Sequence, residues 1–139
     1  MQKEFITTDF KQTQKLGELL AKEINLSAGR GKIICLSGDL GTGKTTFTQG
    51  LLKGLKVKGP YTSPTFVIMK KYSQNIFHID AYRVGTDDIK SLGWEEIANN
   101  PRNIVIIEWA EKICGIIPKK ALWIEFQWIS EKKRKIIFR

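Results

Sequence analysis

Gly38-Asp39-Leu40-Gly41-Thr42-Gly43-Lys44-Thr45 decides the fold, because each element of this stretch answers a need of phosphate binding. It fits the pattern G-x-x-x-x-G-K-[ST], a phosphate-binding loop. Gly38, Gly41 and Gly43 admit backbone angles closed to other residues, so successive N–H groups can turn inward around phosphate oxygens. A helix that starts at Lys44 points its positive N-terminal end at the same anion. Lys44 is placed to reach the β- and γ-phosphates, and the Thr45 hydroxyl to bind Mg²⁺. The alternative is a chance glycine-rich turn, and the context argues against it. Ile33-Ile34-Cys35-Leu36 before the loop is an apolar run suited to a strand buried on both faces. After it, Phe47, Leu51, Leu52 and Leu55 recur at helical spacing, giving a helix over residues 44–55.

Outward from the loop, residues 3–8 read as a short first strand. Asp9 followed by Gln12 reads as a capping box opening a helix to about Ile24, with Leu16, Leu19, Leu20 and Ile24 as its apolar stripe. Gly29 and Gly31 end that unit. Residues 57–64 form a loop punctuated by Gly59, Pro60 and Pro64. Residues 67–72 and 76–80 read as strands joined through Ser73-Gln74-Asn75. Residues 86–92 and 94–98 are short helical pieces. Residues 104–107 form the clearest central strand. A helical turn from Trp109 stops before Pro118. Residues 122–128 and 134–138 close the chain as an antiparallel pair. Strands interleaved with helices predict an α/β fold over residues 1–139 as a single domain, a three-layer P-loop NTPase with a mixed, mostly parallel central sheet.

Two more apolar strands end in acids, Ile76-Phe77-His78-Ile79 at Asp80 and Ile104-Val105-Ile106-Ile107 at Glu108. If these strands run parallel to the one before the loop, Lys44, Thr45, Asp80 and Glu108 share the rim where open α/β sheets bind ligands. An acid after an apolar strand is the usual second Mg²⁺ determinant of P-loop enzymes. Sequence spacing leaves open which acid is the Mg²⁺ ligand and which positions water, and a solvated strand end is the plain alternative for each. His78 faces the same side of its strand as Asp80, with a structural and a direct role both open.

Composition sets the bounds. Of 139 residues, 42% are hydrophobic and 27% charged, ordinary for a globular domain. No apolar run approaches the roughly 20 residues that span a bilayer, and Met1-Gln2-Lys3-Glu4 lacks a secretory pattern. Cys35 and Cys114 have no metal-ligand spacing and read as reduced thiols of a cytoplasmic protein. Lys+Arg 23 against Asp+Glu 14 gives a net charge of +9. That excess suits RNA or an RNA-bearing partner, or else a solvated surface that also attracts phosphate. Lys132-Lys133-Arg134-Lys135 is the densest cluster, and its plain reading is a polar turn into the last strand. N-K-x-D and LSGGQ-type segments are absent, which argues against GTPases and transporter-type ATPases. The remaining readings are an ATPase, a small-molecule kinase and an ATP-dependent binding module.

Four blocks together carry a resemblance. Gly38 to Thr46, then Ser63-Pro64-Thr65-Phe66, then His78-Ile79-Asp80-Ala81-Tyr82-Arg83, then Ile107-Glu108-Trp109 resemble the TsaE family, in order and spacing, across about residues 5–128. Gly93-Trp94-Glu95-Glu96 resembles a further family segment. Ala110 stands where a proline often follows the E-W pair, and the C-terminal segment is short and basic. The resemblance implies an ATPase, with ATP and Mg²⁺ as cofactors. It also implies work with the TsaB–TsaD complex, which transfers threonylcarbamoyl onto adenosine 37 of tRNA, the ATPase itself not being the transferase. On that likeness Thr45 and Glu108 bind Mg²⁺ with Asp80 beside them, and Lys44, Asp80 and Glu108 are the catalytic set. Gly38, Asp39, Gly41, Thr42, Gly43, Lys44, Thr45, Thr46 and Thr65 contact the nucleotide, Thr65 from a switch-like loop. Trp109 is either core or an aromatic anchor.

Overall fold

The structure is a computed structural model that describes residues 2–26, 32–61, 68–73 and 75–139. The Ser63-Pro64-Thr65-Phe66 block, Val67, Gly29 and Gly31 lie outside the described residues. The chain opens with β1 (Lys3–Thr7) and α1 (Phe10–Leu26). Asp9 caps α1, its Oδ1 accepting the Gln12 N–H at 2.9 Å, while Gln12 Oε1 accepts the N–H of Thr8 at 2.7 Å. The capping box is therefore present, displaced by one residue on its return bond.

The buried side of α1 is Thr13, Gly17, Leu20, Ala21 and Ile24, with Leu16 at its margin. Leu19, expected in the stripe, is instead 46% exposed. The reason lies in the partner helix, α2 (Lys44–Gly54). A Cβ on Gly17 would stand 2.3 Å from the Phe47 carbonyl oxygen, and one on Gly50 would stand 1.9 Å from that of Gln14. The helices meet backbone to backbone at those points, so the buried arc centres on Gly17 and Ala21. Residue 19 lies about 200° around the helix from Gly17, on the far side.

The remaining elements are β2 (Lys32–Ser37), β3 (Met69–Ser73), β4 (Ile76–Asp80), α3 (Thr86–Lys90), α4 (Trp94–Asn99), β5 (Ile104–Glu108), a 3₁₀ helix (Ala110–Ile116), β6 (Leu122–Trp128) and β7 (Arg134–Phe138). Among the described residues seven strands form one sheet in the order β1-β7-β6-β2-β5-β4-β3. The middle is parallel, β6 with β2, β2 with β5 and β5 with β4. Both margins are antiparallel, β3 against β4 on one side and β1-β7-β6 on the other. The sheet is thus mixed and mostly parallel at its centre, as expected. The parallel seat of β6 beside β2 had no signal in the sequence.

One face of the sheet packs Ile34, Leu36, Ile106, Ile124 and Phe126 against Leu20, Phe47 and Leu51 of α1 and α2. The other packs Cys35, Ile79, Val105 and Ile107 against Ile89, Trp94 and Ile113 of α3, α4 and the 3₁₀ helix. Alternate residues of β2, β4 and β5 feed opposite clusters, which is why these strands read as continuous apolar runs. Among the described residues no helix is long and apolar enough to cross a membrane.

Candidate functional site

β2 delivers the chain to Gly38, and α2 takes it up again at Lys44. Gly43 is the N-cap of α2 at φ 103°, ψ 9°, a left-handed conformation that favours glycine. At Gly38, with φ 136°, an added Cβ would lie 2.4 Å from the carbonyl oxygen of Phe126, so the loop can lie on β6 only with glycine there. Thr42 Oγ1 donates to the Asp39 carbonyl at 2.6 Å and closes the loop on itself. Two side chains hold it from outside. Arg134 Nε donates to the Gly41 carbonyl at 3.0 Å, and the Gly38 N–H donates to Glu111 Oε2 at 3.2 Å.

Lys44 is only 5% exposed. Its ammonium donates to the carbonyls of Gly38 and Asp39, the latter at 2.8 Å, and stands 3.9 Å from the centre of the Trp109 ring. Burial lowers its pKa from the ordinary lysine value, against the opposing pull of Glu111, Glu108, Asp39 and Asp80. Trp109 reaches this position through a left-handed backbone at φ 59°, unusual for a bulky residue. Its ring lies 4.7 Å from that of Tyr82, and Lys112 caps the stack 4.6 Å from Tyr82. Trp109 is thus half-buried and touches the Lys44 ammonium.

Because β4, β5 and β2 are adjacent and parallel, their C-terminal ends fall on one rim. Asp80 pairs with Glu108, and Glu108 with Leu36. Asp80 and Glu108 share the face that packs on α1 and α2, so both acids come to the side of the sheet where α2 begins. Glu108 is 3% exposed, and Thr45 Oγ1 donates to its Oε1 at 3.0 Å. Its other oxygen, Oε2, lies 2.6 Å from His78 Nε2. Asp80 Oδ1 accepts the N–H of Tyr82 at 2.9 Å. Gly38 through Thr46, Asp80 and Glu108 are therefore gathered at one rim, while Thr65 lies outside the described residues.

A cavity of about 210 Å³ follows the loop from Leu40 to Thr46 and is closed by Glu108 and Trp109. A second, of about 350 Å³, adjoins it at Thr46 and is lined by Asp9, Phe10, Lys11, Thr13, Glu131, Lys132 and Arg134. The sequence reading missed Phe10, Thr13, Glu111 and Arg134 as neighbours of the loop. Only strand register could have found Arg134: it pairs with both Trp128 and Thr7, at the ends of β6 and β1.

The oxygen set of Thr45, Glu108 and Asp80 suits a hard cation. Among the described residues no group of three or more His, Cys, Asp or Glu side chains is arranged to hold a metal. That donor chemistry fits Mg²⁺, which is usually held by one or two carboxylates together with phosphates and water.

The chain matches the family model for threonylcarbamoyl adenosine biosynthesis protein TsaE over residues 7–136. It is 38% identical over 141 residues to the tRNA threonylcarbamoyladenosine biosynthesis protein TsaE of Aquifex aeolicus, an alignment covering 96% of this chain and 93% of that protein. To the protein of the same name from Nostoc it is 40% identical over 112 residues, 76% of this chain and 66% of the relative. The crystal structure of Bacillus subtilis YdiB superposes with a TM-score of 0.80 at 30% identity, covering 99% of this chain and 84% of that one. With the phosphate loop and its facing acids set on this fold, and with that match spanning nearly its whole length, the chain belongs to the TsaE family of tRNA threonylcarbamoyladenosine biosynthesis proteins.

Proposed function

We propose that the chain binds ATP with Mg²⁺ and hydrolyses it, and that this turnover supports the TsaB–TsaD complex, in the cytoplasm, in the threonylcarbamoylation of adenosine 37 of tRNA. The observation that carries the reading is the contact between Thr45 and Glu108 at 3.0 Å. The hydroxyl that follows the loop lysine meets the acid that ends an adjacent parallel strand, and both face the cavity below the loop. A hydroxyl and a carboxylate so placed would hold Mg²⁺ beside the terminal phosphates, with Asp80 next to them on the rim.

In this reading the loop N–H groups and the N-terminus of α2 bind the phosphates, and Lys44 supplies a fixed positive charge to them. Bound Mg²⁺ supplies Lewis-acid polarisation of the phosphoryl oxygens. Trp109 and Glu108 wall the cavity that would take the phosphates. The cavity beyond Thr46 is of a size for a nucleoside, with Phe10 as a ring against which a base can stack. The basic surface favours approach to a complex carrying RNA, which makes association weaken as salt rises.

The test is ATP turnover by the chain alone, and with purified TsaB–TsaD and tRNA. ADP and phosphate in equal amounts, with faster turnover in the assembly, support the reading. Phosphate transferred to a small acceptor identifies a kinase instead, and a rate indifferent to the complex removes the partner from the scheme.

A further inference from the structure

Glu108 is held at both carboxylate oxygens. Thr45 Oγ1 donates to Oε1 at 3.0 Å, and His78 Nε2 lies 2.6 Å from Oε2. The His78 and Glu108 side chains are 2% and 4% exposed. His78 sits two residues before Asp80 on β4 and reaches diagonally to the end of β5, on the face of the sheet turned to α1 and α2. The Tyr72 ring of β3 stacks on the imidazole, with centres 6.4 Å apart and planes 21° from parallel. The other ring nitrogen, Nδ1, is buried and has no hydrogen-bond partner among the described residues.

That orphaned nitrogen selects the form of the ring. A proton on Nδ1 would be a buried donor with no acceptor, which is the costly kind of unsatisfied group. In the Nδ1–H tautomer the Nε2 lone pair would also face the carboxylate oxygen. The ring with its proton on Nε2 and none on Nδ1 avoids both and donates one bond to a carboxylate oxygen. The stack on Tyr72 fixes the plane of the ring. One hydrogen bond then sets the rotation of the carboxylate about its last torsion, which is otherwise broad.

We propose that His78 is a positioning residue for the cation site: through Nε2–H it anchors Glu108 Oε2 and so turns Oε1 toward the Thr45 hydroxyl. The site loses metal affinity without that anchor, although His78 touches neither phosphate nor metal. This inference rests on the reading of Glu108 and Thr45 as Mg²⁺ ligands. It resembles the outer partners that orient metal-binding carboxylates elsewhere, whose loss typically costs 10–100-fold in affinity.

His78 is the chain's one histidine, so its ring nitrogens can be observed without assignment. Long-range ¹H–¹⁵N spectra of the ligand-free protein should show a protonated Nε2 and a bare Nδ1, and the Nε2 signal should move in Glu108→Ala. A bare Nε2, or a signal indifferent to that substitution, overturns the proposal. The second arm measures ADP affinity in Mg²⁺ and in EDTA for His78→Leu and His78→Gln, with thermal melts to establish folding. Gln carries an N–H₂ near the place of Nε2, whereas Leu keeps only bulk. His78→Leu should require about tenfold more Mg²⁺ while keeping its affinity in EDTA, and His78→Gln should restore the Mg²⁺ midpoint. Superimposable Mg²⁺ titrations for Leu and wild type, or Gln as impaired as Leu, refute the role. Wild-type protein that binds no nucleotide under either condition refutes the proposed function instead, and the spectra still decide the anchor.

Discussion

Arg134, at the start of the last strand, donates through Nε to the carbonyl of Gly41 at 3.0 Å, joining the phosphate loop to a residue 93 positions later in the chain. Its other bonds, from Nη1 to the carbonyls of Ser130, Glu131 and Lys133, shape the turn between β6 and β7. The basic run 132–135 is therefore divided in its work. Lys132 and Lys133 are exposed, Lys135 pairs with Glu4 at 3.1 Å, and Arg134 clamps the loop tip.

Replacing Arg134 by alanine should loosen the tip while leaving the strand in place. A partly exposed charged hydrogen bond of this kind contributes about 1 kcal/mol, so the ADP dissociation constant should rise about fivefold by calorimetry. Replacing Lys133, which lines neither cavity, by alanine should leave that constant nearly unchanged at moderate salt. Equal losses in the two variants would reduce Arg134 to bulk charge.

Lys44→Ala should lower ATP hydrolysis by about 10²–10³-fold, the usual cost of removing a preorganised charge from a transferring phosphoryl group. Steady-state phosphate release at saturating ATP is the measurement. Activity within about tenfold of wild type would remove Lys44 from the chemistry.

Glu108→Ala should flatten the Mg²⁺ dependence of nucleotide binding more than it weakens binding in EDTA, because the backbone N–H groups of the loop still hold the phosphates. Titration of Mg²⁺ at fixed ADP, followed by fluorescence or calorimetry, checks this. Retention of the wild-type titration would exclude the carboxylate as a ligand.

The two cysteines should behave oppositely toward an alkylating reagent. Cys35 is fully buried in β2, and burial pushes its thiol up to about 12, whereas Cys114 is exposed. Iodoacetamide at pH 8 should add one group to the folded chain and two in denaturant, counted by mass spectrometry. The folded state holds the Cys35 proton more tightly than the unfolded chain does. Its contribution to stability is therefore lost as pH rises from the ordinary thiol value of 9.0 toward about 12.

What the sequence disclosed was what short-range pattern controls. The phosphate loop, the capped first helix and the two acid-ended strands are encoded within windows of ten or so residues, and each lies where its pattern placed it. The rim that gathers Lys44, Thr45, Asp80 and Glu108 followed from one topological assumption, that three strands run parallel, and they do. Relations between distant segments were not legible. Leu19 has the spacing of a core residue, but the helix is rotated by a contact with Gly50 that periodicity does not describe. Glu111 and Arg134 reach the loop only because β6 and the 3₁₀ helix pack beside β2, and their local sequence marks a turn and a helix end. His78 carried a role left open, because its partner is set by strand register and the orphaned Nδ1 is visible only in three dimensions.

The close approach of α1 and α2 changes how glycines in this chain should be compared with those of related chains. Gly17 and Gly50 leave no room for a methyl group, yet neither has a special backbone angle and neither lines the two cavities beside the loop. Their invariance across relatives would record architecture, not chemistry. A search for functional positions that ranks glycines by constancy alone would confuse the two kinds. The distinguishing mark is the backbone angle: φ is positive at Gly38, Gly41 and Gly43 on the loop, whereas Gly17 and Gly50 have no such angle and are blocked by carbonyl oxygens of the facing helix.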